Sequence, residues 1–136
     1  MIRALETSAS ALVAQRIRMD VIAGNIANAF TTSMAGADGV PYQRRVVSFQ
    51  EGNGRGAQGV HVNEVMLDPS PGEIVYMPGH RDAIKQGPMQ GYVRMPNVDL
   101  TMEYVDALEA SRAYEANVAV MNVSRTMLNQ SIELFA

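Results

Sequence analysis

The amino-acid sequence predicts a mainly α-helical protein with a β-rich middle. Long N- and C-terminal helices are expected to pair as a coiled coil, with a small β-hairpin and loop segment between them. Apolar residues recur with helical spacing at both ends of the 136-residue chain, whereas the middle holds all six prolines and several short β-branched runs. The predicted division is an N-terminal helix in residues 1–30, a β-rich and irregular segment in 31–96, and a C-terminal helix in 97–136.

The N-terminal segment has the pattern of one amphipathic helix over residues 1 to about 29. Apolar side chains recur every seven residues, and this stretch contains no proline. The polar, β-branched pair Thr31 and Thr32, with the glycines that follow, predicts the end of the helix. The stripe that we expect to face the partner helix consists of Leu5, Leu12, Met19 and Ile26.

The middle segment has the pattern of short strands separated by turns. Three runs rich in β-branched residues have strand length, at 46–49, 60–62 and 73–76. Clusters of proline and glycine at 68–72 and 77–79 predict turns, because proline fixes φ and glycine accepts a positive φ. The segment is therefore predicted to form a small hairpin region with much irregular loop.

The C-terminal segment has the strongest helical pattern in the chain. From residue 100 onward, apolar and small residues alternate spacings of four and three through about five heptads. Asn97 or Asp99 is expected to cap this helix after Pro96. A helix of ~36 residues is about 54 Å long, too long for a 136-residue globule to bury. We expect it to pair with the N-terminal helix, with the β-rich segment at the far end of the pair. The residues of this helix that are predicted to pack against the N-terminal stripe are Tyr114, Val118, Met121, Leu128 and Ile132. We call the two sets of residues together the seam.

The composition narrows the classes of function. Charged residues make up 18% of the chain, against about 25% in typical domains, so that other chains are expected to cover much of the surface. The net charge is −3 and the basic residues are scattered, which argues against nucleic-acid binding. No run approaches the ~20 apolar residues of a membrane-spanning helix. Residues 1–14 lack the apolar core of a signal peptide, so that export without a cleaved signal is expected.

Catalytic and ligand-binding patterns are weak. Residues 54–59 match G-x-G-x-x-G, but the residues that follow have strand character, whereas a dinucleotide site needs a helix there. His80 with Asp82, and His61 with Glu64, have the residue types of acid–base pairs without a nearby nucleophile. The chain has no cysteine. We therefore predict no catalytic residue, no metal and no cofactor, and keep a small ligand-binding domain at the 54–59 loop as an alternative.

Five segments together carry a resemblance to a known family. They are NIANAFTT at 25–32, GVPYQRR at 39–45, DPSP at 68–71, GYVRMPNVD at 91–99 and SRAYEAN at 111–117. The first and last of these resemble the terminal signatures of bacterial flagellar axial proteins. The other three segments and the short length narrow this resemblance. Over nearly its whole length, the chain is similar to the rod proteins of the flagellar basal body, and among these it most resembles the proximal rod subunits.

The resemblance implies a structural subunit and not an enzyme. Such proteins are exported through the flagellar type III apparatus without a cleaved signal, and they assemble helically into a tube that crosses the periplasm and transmits torque. Their terminal helices pair and pack around the central export channel. The implied partners are other rod subunits and the export-gate and basal-body proteins, with self-association in a helical array.

Polar residues within the two terminal signatures are expected to fix the register of the helices, through hydrogen bonds or charge pairs. The candidates are Asn25, Asn28, Arg112, Glu115 and Asn117. Two further alternatives stay open besides the ligand-binding domain. One is another flagellar axial protein of rod or hook type, because the terminal signatures are widely shared. The other is a coiled-coil adaptor in the cytosol.

Overall fold

The chain forms two long helices that flank four short strands. The computed structural model describes residues 2–33, 39–52 and 58–135. The elements in chain order are α1 (Ile2–Ala27), β1 (Arg45–Glu51), β2 (Val60–Leu67), β3 (Ile74–Tyr76), β4 (Tyr92–Arg94) and α2 (Leu100–Phe135). The predicted order of helix, β-rich segment and helix is therefore confirmed.

The two helices pack side by side in antiparallel directions. Asn25, near the end of α1, contacts Glu103 near the start of α2, while Arg18 contacts Asp106 and Glu109 further along α2. The helices differ in length, with 26 residues in α1 and 36 in α2. At ~1.5 Å per residue in both helices, this register places the start of α1 opposite about residue 124. The last turns of α2 therefore extend beyond α1.

The strands form two separate antiparallel hairpins. β1 pairs with β2 over the whole length of β1, with one irregularity in register after Ser48, and β3 pairs with β4. β1 and β2 are longer than the runs predicted for them, because polar residues flanking β1 and the stretch from Asn63 to Leu67 also join the ladder. β4 was not predicted as a strand, since Tyr92–Arg94 offers only three residues of pattern.

The β1–β2 hairpin lies along α1 and not at the far end of the helix pair, where the sequence analysis placed it. At its base, the side-chain amide of Asn25 donates to the carbonyl of Arg45 at 2.9 Å. At its tip, the amide of Val60 donates to Oγ of Ser10 at 3.1 Å. Strand and helix cover similar lengths between these contacts, at ~3.3 Å and ~1.5 Å per residue. Two polar contacts at its ends thus fasten the hairpin to α1.

The carboxylate of Asp99 caps the N-terminus of α2. Oδ1 of Asp99 accepts hydrogen bonds from the amides of Thr101 and Met102, at 2.8 and 3.3 Å, which satisfies two orphan donors of the first turn. Of the two predicted caps, Asp99 therefore holds the position. The side chain of Asn97 instead binds the loop that follows β2.

The buried side chains concentrate where α1, the hairpin base and the start of α2 meet. They include apolar and polar residues, among them Ile22, Asn25, Ala29, Thr32, Tyr42, Val93, Glu103 and Ala110. Further along the helix pair, Ser8 and Ala14 are the buried residues of α1 among those whose burial is described, and α2 has no buried residue among 111–134. Within the described residues, neither helix is apolar enough over a sufficient length to cross a membrane.

Candidate assembly site

A buried asparagine on α1 uses all of its hydrogen-bonding capacity. Asn25 is 1% exposed. Its Oδ1 accepts from the hydroxyl of Tyr42 and from the amide of Arg45, both at 2.9 Å. Its Nδ2 donates to the Arg45 carbonyl at 2.9 Å and to Oε2 of Glu103 at 3.1 Å. An amide side chain offers two donors and two acceptor sites, so that Asn25 is fully satisfied and cannot be replaced by an isosteric apolar residue without orphaning its partners.

A fully buried carboxylate on α2 completes this cluster. Glu103 is 0% exposed, and its Oε1 accepts from Nε of Arg44 at 2.5 Å. The same guanidinium donates from a second nitrogen to Asp106 at 3.1 Å. Hydrogen bonding to Glu103 is the main cause that raises the pKa of Arg44, so that this residue keeps its charge. The buried anion is therefore both paired and hydrogen-bonded, as burial requires.

The loop before β1 is joined to the segment before α2 through Asn97. Its Oδ1 accepts from the amide of Arg44 at 2.7 Å, and its Nδ2 donates to the carbonyls of Asp68 and Ser70, at 3.0 and 2.9 Å. The amide of Asp68 in turn donates to the Arg44 carbonyl at 2.8 Å. We call the cluster the polar hub; its members are Asn25, Tyr42, Arg44, Arg45, Asp68, Asn97, Glu103 and Asp106.

The phenol of Tyr42 takes part in the hub as a donor. Burial is the main cause that raises its pKa, so that the hydroxyl keeps its proton at neutral pH and donates to Asn25. The guanidinium of Arg45 lies 5.7 Å from the centre of the Tyr42 ring, within cation–π range. The hub therefore combines hydrogen bonds, ion pairs and one aromatic contact.

A second polar link joins the end of α1 to the loop after β3. The hydroxyl of Thr32 donates to Oδ2 of Asp82 at 2.7 Å, and this bond is the main cause that lowers the pKa of Asp82. Nδ1 of His80 accepts from the Asp82 amide at 3.1 Å. The contact between His80 and Asp82 thus stabilises the loop after β3. The other histidine, His61, lies within β2.

The predicted seam residues lie at different depths. On α1, Leu5, Leu12, Met19 and Ile26 are all half-buried, while the buried positions between them are Ser8, Ala14, Ile22 and Asn25. On α2, half-buried positions recur at spacings of three and four and include Tyr114, Val118, Met121 and Leu128. Ile132 is 65% exposed and lies in the part of α2 that extends beyond α1.

The five predicted polar residues occupy three kinds of position. Asn25 lies at the centre of the hub. Asn28 and Asn117 bond within their own helical segments, donating to the carbonyls four residues earlier at 2.9 and 2.8 Å. Arg112 and Glu115 are exposed on α2, and neither makes an ion pair with another of the described residues.

Arg44, Glu103 and Asn97 were not predicted from the sequence as members of the site. Arg44 and Asn97 fall within segments quoted for the family resemblance, so that a signal for them was present. No signal in the sequence indicated Glu103, because a glutamate in the first turn of a helix is ordinarily explained by the helix dipole and solvent exposure. Its burial depends on Arg44, which lies 59 positions away in the chain.

The second half of α2 exposes an additional apolar stripe. Its members recur at spacings of four, three, four and seven on a face beside the α1 contact, and several are half exposed or more. The stripe consists of Ala116, Val120, Val123, Met127 and Leu134, and it adds an exposed apolar face to the half-buried one that includes Val118, Met121 and Leu128. We call it the outer stripe. A second, exposed apolar face on a helix is typical of one that packs against a further partner.

The candidate ligand site at 54–59 gains no support. Residues 53–57 lie outside the described part of the chain, and β2 begins at Val60, directly after the loop. Gly59 has a φ of 130° and lies against α1, where an added Cβ would come within 2.5 Å of the Ser10 hydroxyl. Among the described residues, no group of three histidine or acidic side chains is placed to hold a metal ion.

Comparison with known proteins matches both helical regions to flagellar families. The family described as "Flagella basal body rod protein" matches residues 5–33, which contain nearly all of α1, including Asn25. The family described as "Flagellar basal body rod FlgEFG protein C-terminal" matches residues 89–134, which contain β4 and nearly all of α2. The two matched regions are those that meet at the hub.

Similar proteins align over almost the whole chain. The flagellar basal-body rod protein FlgC of Bacillus subtilis is 40% identical, over 96% of this chain and 95% of its own length. FlgC of Yersinia enterocolitica is 41% identical, over 95% and 93% of the two chains. FlgC of Aquifex aeolicus is 35% identical, over 96% and 93%.

The paired helices, the hub and these matches define an axial protein of the bacterial flagellum, a structural component of the basal body. More narrowly, the chain belongs to the FlgC family of flagellar basal-body rod proteins. This family membership replaces the alternatives of a ligand-binding domain and a cytosolic adaptor.

Proposed function

We propose that this chain is a rod subunit that assembles helically with copies of itself and with other rod proteins. The observation that carries the proposal is the outer stripe on α2, which leaves Val123 59% exposed in the isolated chain. Contacts through unlike faces generate an open helical array in place of a closed ring. The stripe is the face that a neighbouring helix would cover, and the basal-body rod is the place of assembly that the relatives' names give.

In the assembled rod, α1 and α2 act as a coiled-coil pair that carries load along its length. The intrasubunit seam would consist of the half-buried residues Leu5, Leu12, Met19 and Ile26 against Tyr114, Val118, Met121 and Leu128, whereas the exposed Ile132 lies beyond α1 and is available to a neighbouring subunit. The hub fixes the register of the pair and ties it to the middle segment, because a shift of one turn would separate Asn25 from Glu103. Torque then passes between subunits through many parallel contacts, and no catalysis is required.

Folding of the terminal helices is completed by assembly. A subunit exported through a narrow channel, without a cleaved signal, must pass as an extended or loosely folded chain. A helix whose apolar faces lack partners is marginally stable in water, because helical stability comes mainly from packing. Partner subunits bury those faces and order the helices where they are needed, which also limits premature polymerisation.

The proposal is tested by Val123→Glu, with Val123→Leu as the matched control, in a strain that lacks its own copy of the gene. We expect Val123→Glu to abolish swimming, because a carboxylate cannot be buried against an apolar neighbour without a partner. Val123→Leu keeps the face apolar and should swim. Both purified proteins should unfold at the same urea concentration, since the site is exposed in the monomer. Normal swimming of Val123→Glu would overturn the proposal.

Arg112 and Glu115 are proposed as intersubunit contacts, because both are exposed and lie within the C-terminal family signature. Reversing either charge, with Arg112→Glu or Glu115→Lys, should abolish motility while export of the protein continues. Export is measured as the amount of the protein outside the inner membrane. Normal swimming in both variants would remove these two residues from the interface.

A further inference from the structure

A phenylalanine just after α1 projects into solvent from a fixed backbone. Phe30 is 72% exposed, more than any other aromatic side chain among the residues whose burial is described. Its neighbours Ala29 and Thr32 are buried. The carbonyl of Thr31 accepts from the amide of Tyr42 at 2.9 Å, which ties this segment to the loop before β1. Phe30 is therefore an apolar projection on a rigid support, and we call it the knob.

An apolar cavity lies at the same end of the helix pair. It has a volume of about 370 Å³ and is lined mostly by apolar atoms. Cavities that bind small molecules begin at ~300 Å³, so that this one has room for an aromatic ring. The hydroxyl of Tyr42 donates to Asn25, and the amide of Met95 donates to the carbonyl of Glu73 at 2.8 Å, so that two of its walls are fixed. We call the cavity the socket, and its apolar walls are formed by Pro41, Tyr42, Pro69, Pro71, Ile74 and Met95.

The knob and the socket of one chain lie on opposite faces of the ribbon that β3 forms with β4. Phe30 lines a different cavity, together with Glu73, whereas the next residue, Ile74, lines the socket. The bond from Met95 to Glu73 continues the ladder by one residue, and successive side chains of a strand point to opposite faces. Arg94 is paired with Ile74 and also lines the socket. Phe30 is therefore separated from the socket of its own chain.

The charges beside the knob and the socket are of opposite sign. The exposed carboxylates of Glu73 and Asp99 line the cavity beside Phe30. The exposed side chain of Arg94 lies at the socket, and it makes no ion pair with another of the described residues. Complementary charges orient two surfaces as they meet, and a guanidinium is attracted to the face of an aromatic ring. The surroundings of the socket thus match those of the knob.

From these observations we infer that Phe30 of one subunit inserts into the socket of a neighbouring copy of the same chain. A side chain that fits a pocket elsewhere on the same molecule joins unlike faces, and such contacts build a ring or a helical array. Because the knob and the socket lie at the same end of the helix pair, the contact places copies side by side. It is separate from the outer stripe, which lies further along α2. The inference rests on the proposed function, since it names one contact within the proposed array.

Photo-crosslinking from position 30 tests the contact in the assembled rod. A tagged chain carries a phenylalanine analogue with an azide on its ring in place of Phe30, and it is produced together with the wild-type chain in swimming cells. We expect irradiation to give a covalent dimer of this chain, with the second peptide from residues 41–43, 69–74 or 94–97. The matched control has the analogue at Tyr104, another exposed aromatic position, and should give no crosslink to those three segments.

Three results of this experiment would overturn the inference. They are a crosslink from position 30 to another part of a second copy, a crosslink to a different protein in place of a second copy, and the absence of any product while the cells swim.

Two substitutions of Phe30 test the side chain itself, in a strain that lacks its own copy of the gene. Phe30→Lys should slow the spread of a swimming colony by about 5-fold or more, because an aromatic side chain in a pocket is typical of the residues that dominate an interface. The lysine would also face Arg94 of the neighbouring copy. Phe30→Leu keeps an apolar side chain and should swim. Both purified proteins should unfold at the same urea concentration as the wild type, since the position is exposed. Normal swimming of Phe30→Lys would contradict the contact.

A charge reversal tests the socket. Arg94→Glu should lower the yield of the dimer crosslinked from position 30 by about 3-fold or more, because it removes the attraction to the ring and to the nearby carboxylates. Arg81→Glu is the matched control, since the side chain of Arg81 is 88% exposed and does not line the socket. It should leave the yield unchanged. Equal yields from the two variants would count against the socket as the site of insertion.

The outcomes separate this inference from the proposed function. If Val123→Glu swims normally, the outer stripe fails as an assembly surface, whatever position 30 crosslinks to. If Val123→Glu does not swim but the crosslinks from position 30 lead outside the socket, the rod proposal stands and only the contact of knob and socket is refuted.

Discussion

Asn25 on α1 and Glu103 on α2 are joined by a 3.1 Å hydrogen bond across 78 positions of sequence. The bond lies in the most deeply buried part of the molecule, where one side chain is 1% exposed and the other 0%. A contact of this kind has a single register, unlike an apolar seam, in which leucine and methionine can slide by one turn. The helix pair therefore derives its specificity from a few polar residues at one end.

Asn25→Ala should destabilise the protein by about 3 kcal/mol, because it leaves several buried partners unsatisfied at ~1–3 kcal/mol each. The measurement is the free energy of unfolding from urea titration. Asn28→Ala is the matched control on the same helix. Its side chain bonds only to Gly24 and Thr31, so that a loss of about 1 kcal/mol is expected. Equal losses in the two variants would show that Asn25 has no special role.

Glu103→Gln should cost about 3 kcal/mol, since breaking a buried ion pair leaves one charge without its partner. The comparison is Glu109→Gln, which removes an ion pair with Arg18 from a side chain that is 68% exposed. Exposed pairs contribute ~0–1 kcal/mol, so that this variant should be near neutral. A double-mutant cycle of Glu103 with Arg44 should give a coupling above 1 kcal/mol on the scale measured for contacting residues, of about 0.5–3 kcal/mol. Coupling near zero would contradict the hub.

Gly72→Ala should destabilise the protein by about 1–3 kcal/mol, the usual cost of overpacking. An added Cβ would collide with the carbonyl oxygen of Met95, where the loop after β2 crosses the segment before α2. Gly79→Ala is the control, because nothing lies within 4 Å of the position of its Cβ. Thermal unfolding measures both. A stable Gly72→Ala would mean that the two segments do not pack this closely.

The free energy of unfolding should decrease in acid, because two aspartates have a lowered pKa in the folded protein. Hydrogen bonds from Ser70 and Thr32 are the main causes that lower the pKa of Asp68 and of Asp82. A lowered pKa in the folded state means that the unfolded chain takes up protons first as the pH falls. Stability from these two groups is therefore present above the ordinary aspartate pKa of ~3.9 and is lost as the pH falls through their lower folded values. Urea midpoints between pH 6 and pH 3 measure this.

Asp82→Asn is the control for the acid dependence. The asparagine cannot titrate, so that the variant should be less stable than the wild type at pH 6 and should lose less of its stability by pH 3. A slope identical to that of the wild type would show that Asp82 does not contribute.

The sequence was sufficient to predict the helices and the presence of short strands. Their periodicities are local, and burial of one face enforces them. The place of the β1–β2 hairpin beside α1 was not predictable, because it depends on single contacts such as Ser10 with Val60. Among the hub residues, Asn25 was predicted through a family signature. Glu103 was not, since nothing local distinguishes a buried glutamate from a solvated one in the first turn of a helix.

The outer stripe was not recognised from the sequence either. Val120, Val123 and Met127 fall between the predicted seam positions, and the apolar period alone did not indicate which of two neighbouring stripes would face α1. That choice depends on the register of the helix pair, which we propose the hub fixes. On this proposal, a polar contact at one end determines which apolar face remains exposed some 30 Å away, at ~1.5 Å per residue of α2.

The most direct test of the account is the helix content of the dilute monomer, measured by far-UV circular dichroism. In the complete structure, α1 and α2 contribute 26 and 36 helical residues. We expect a value well below their total, because the terminal helices await neighbouring subunits, with a rise to the full value when the protein assembles. Full helicity in a verified monomer would contradict the claim that assembly completes the fold.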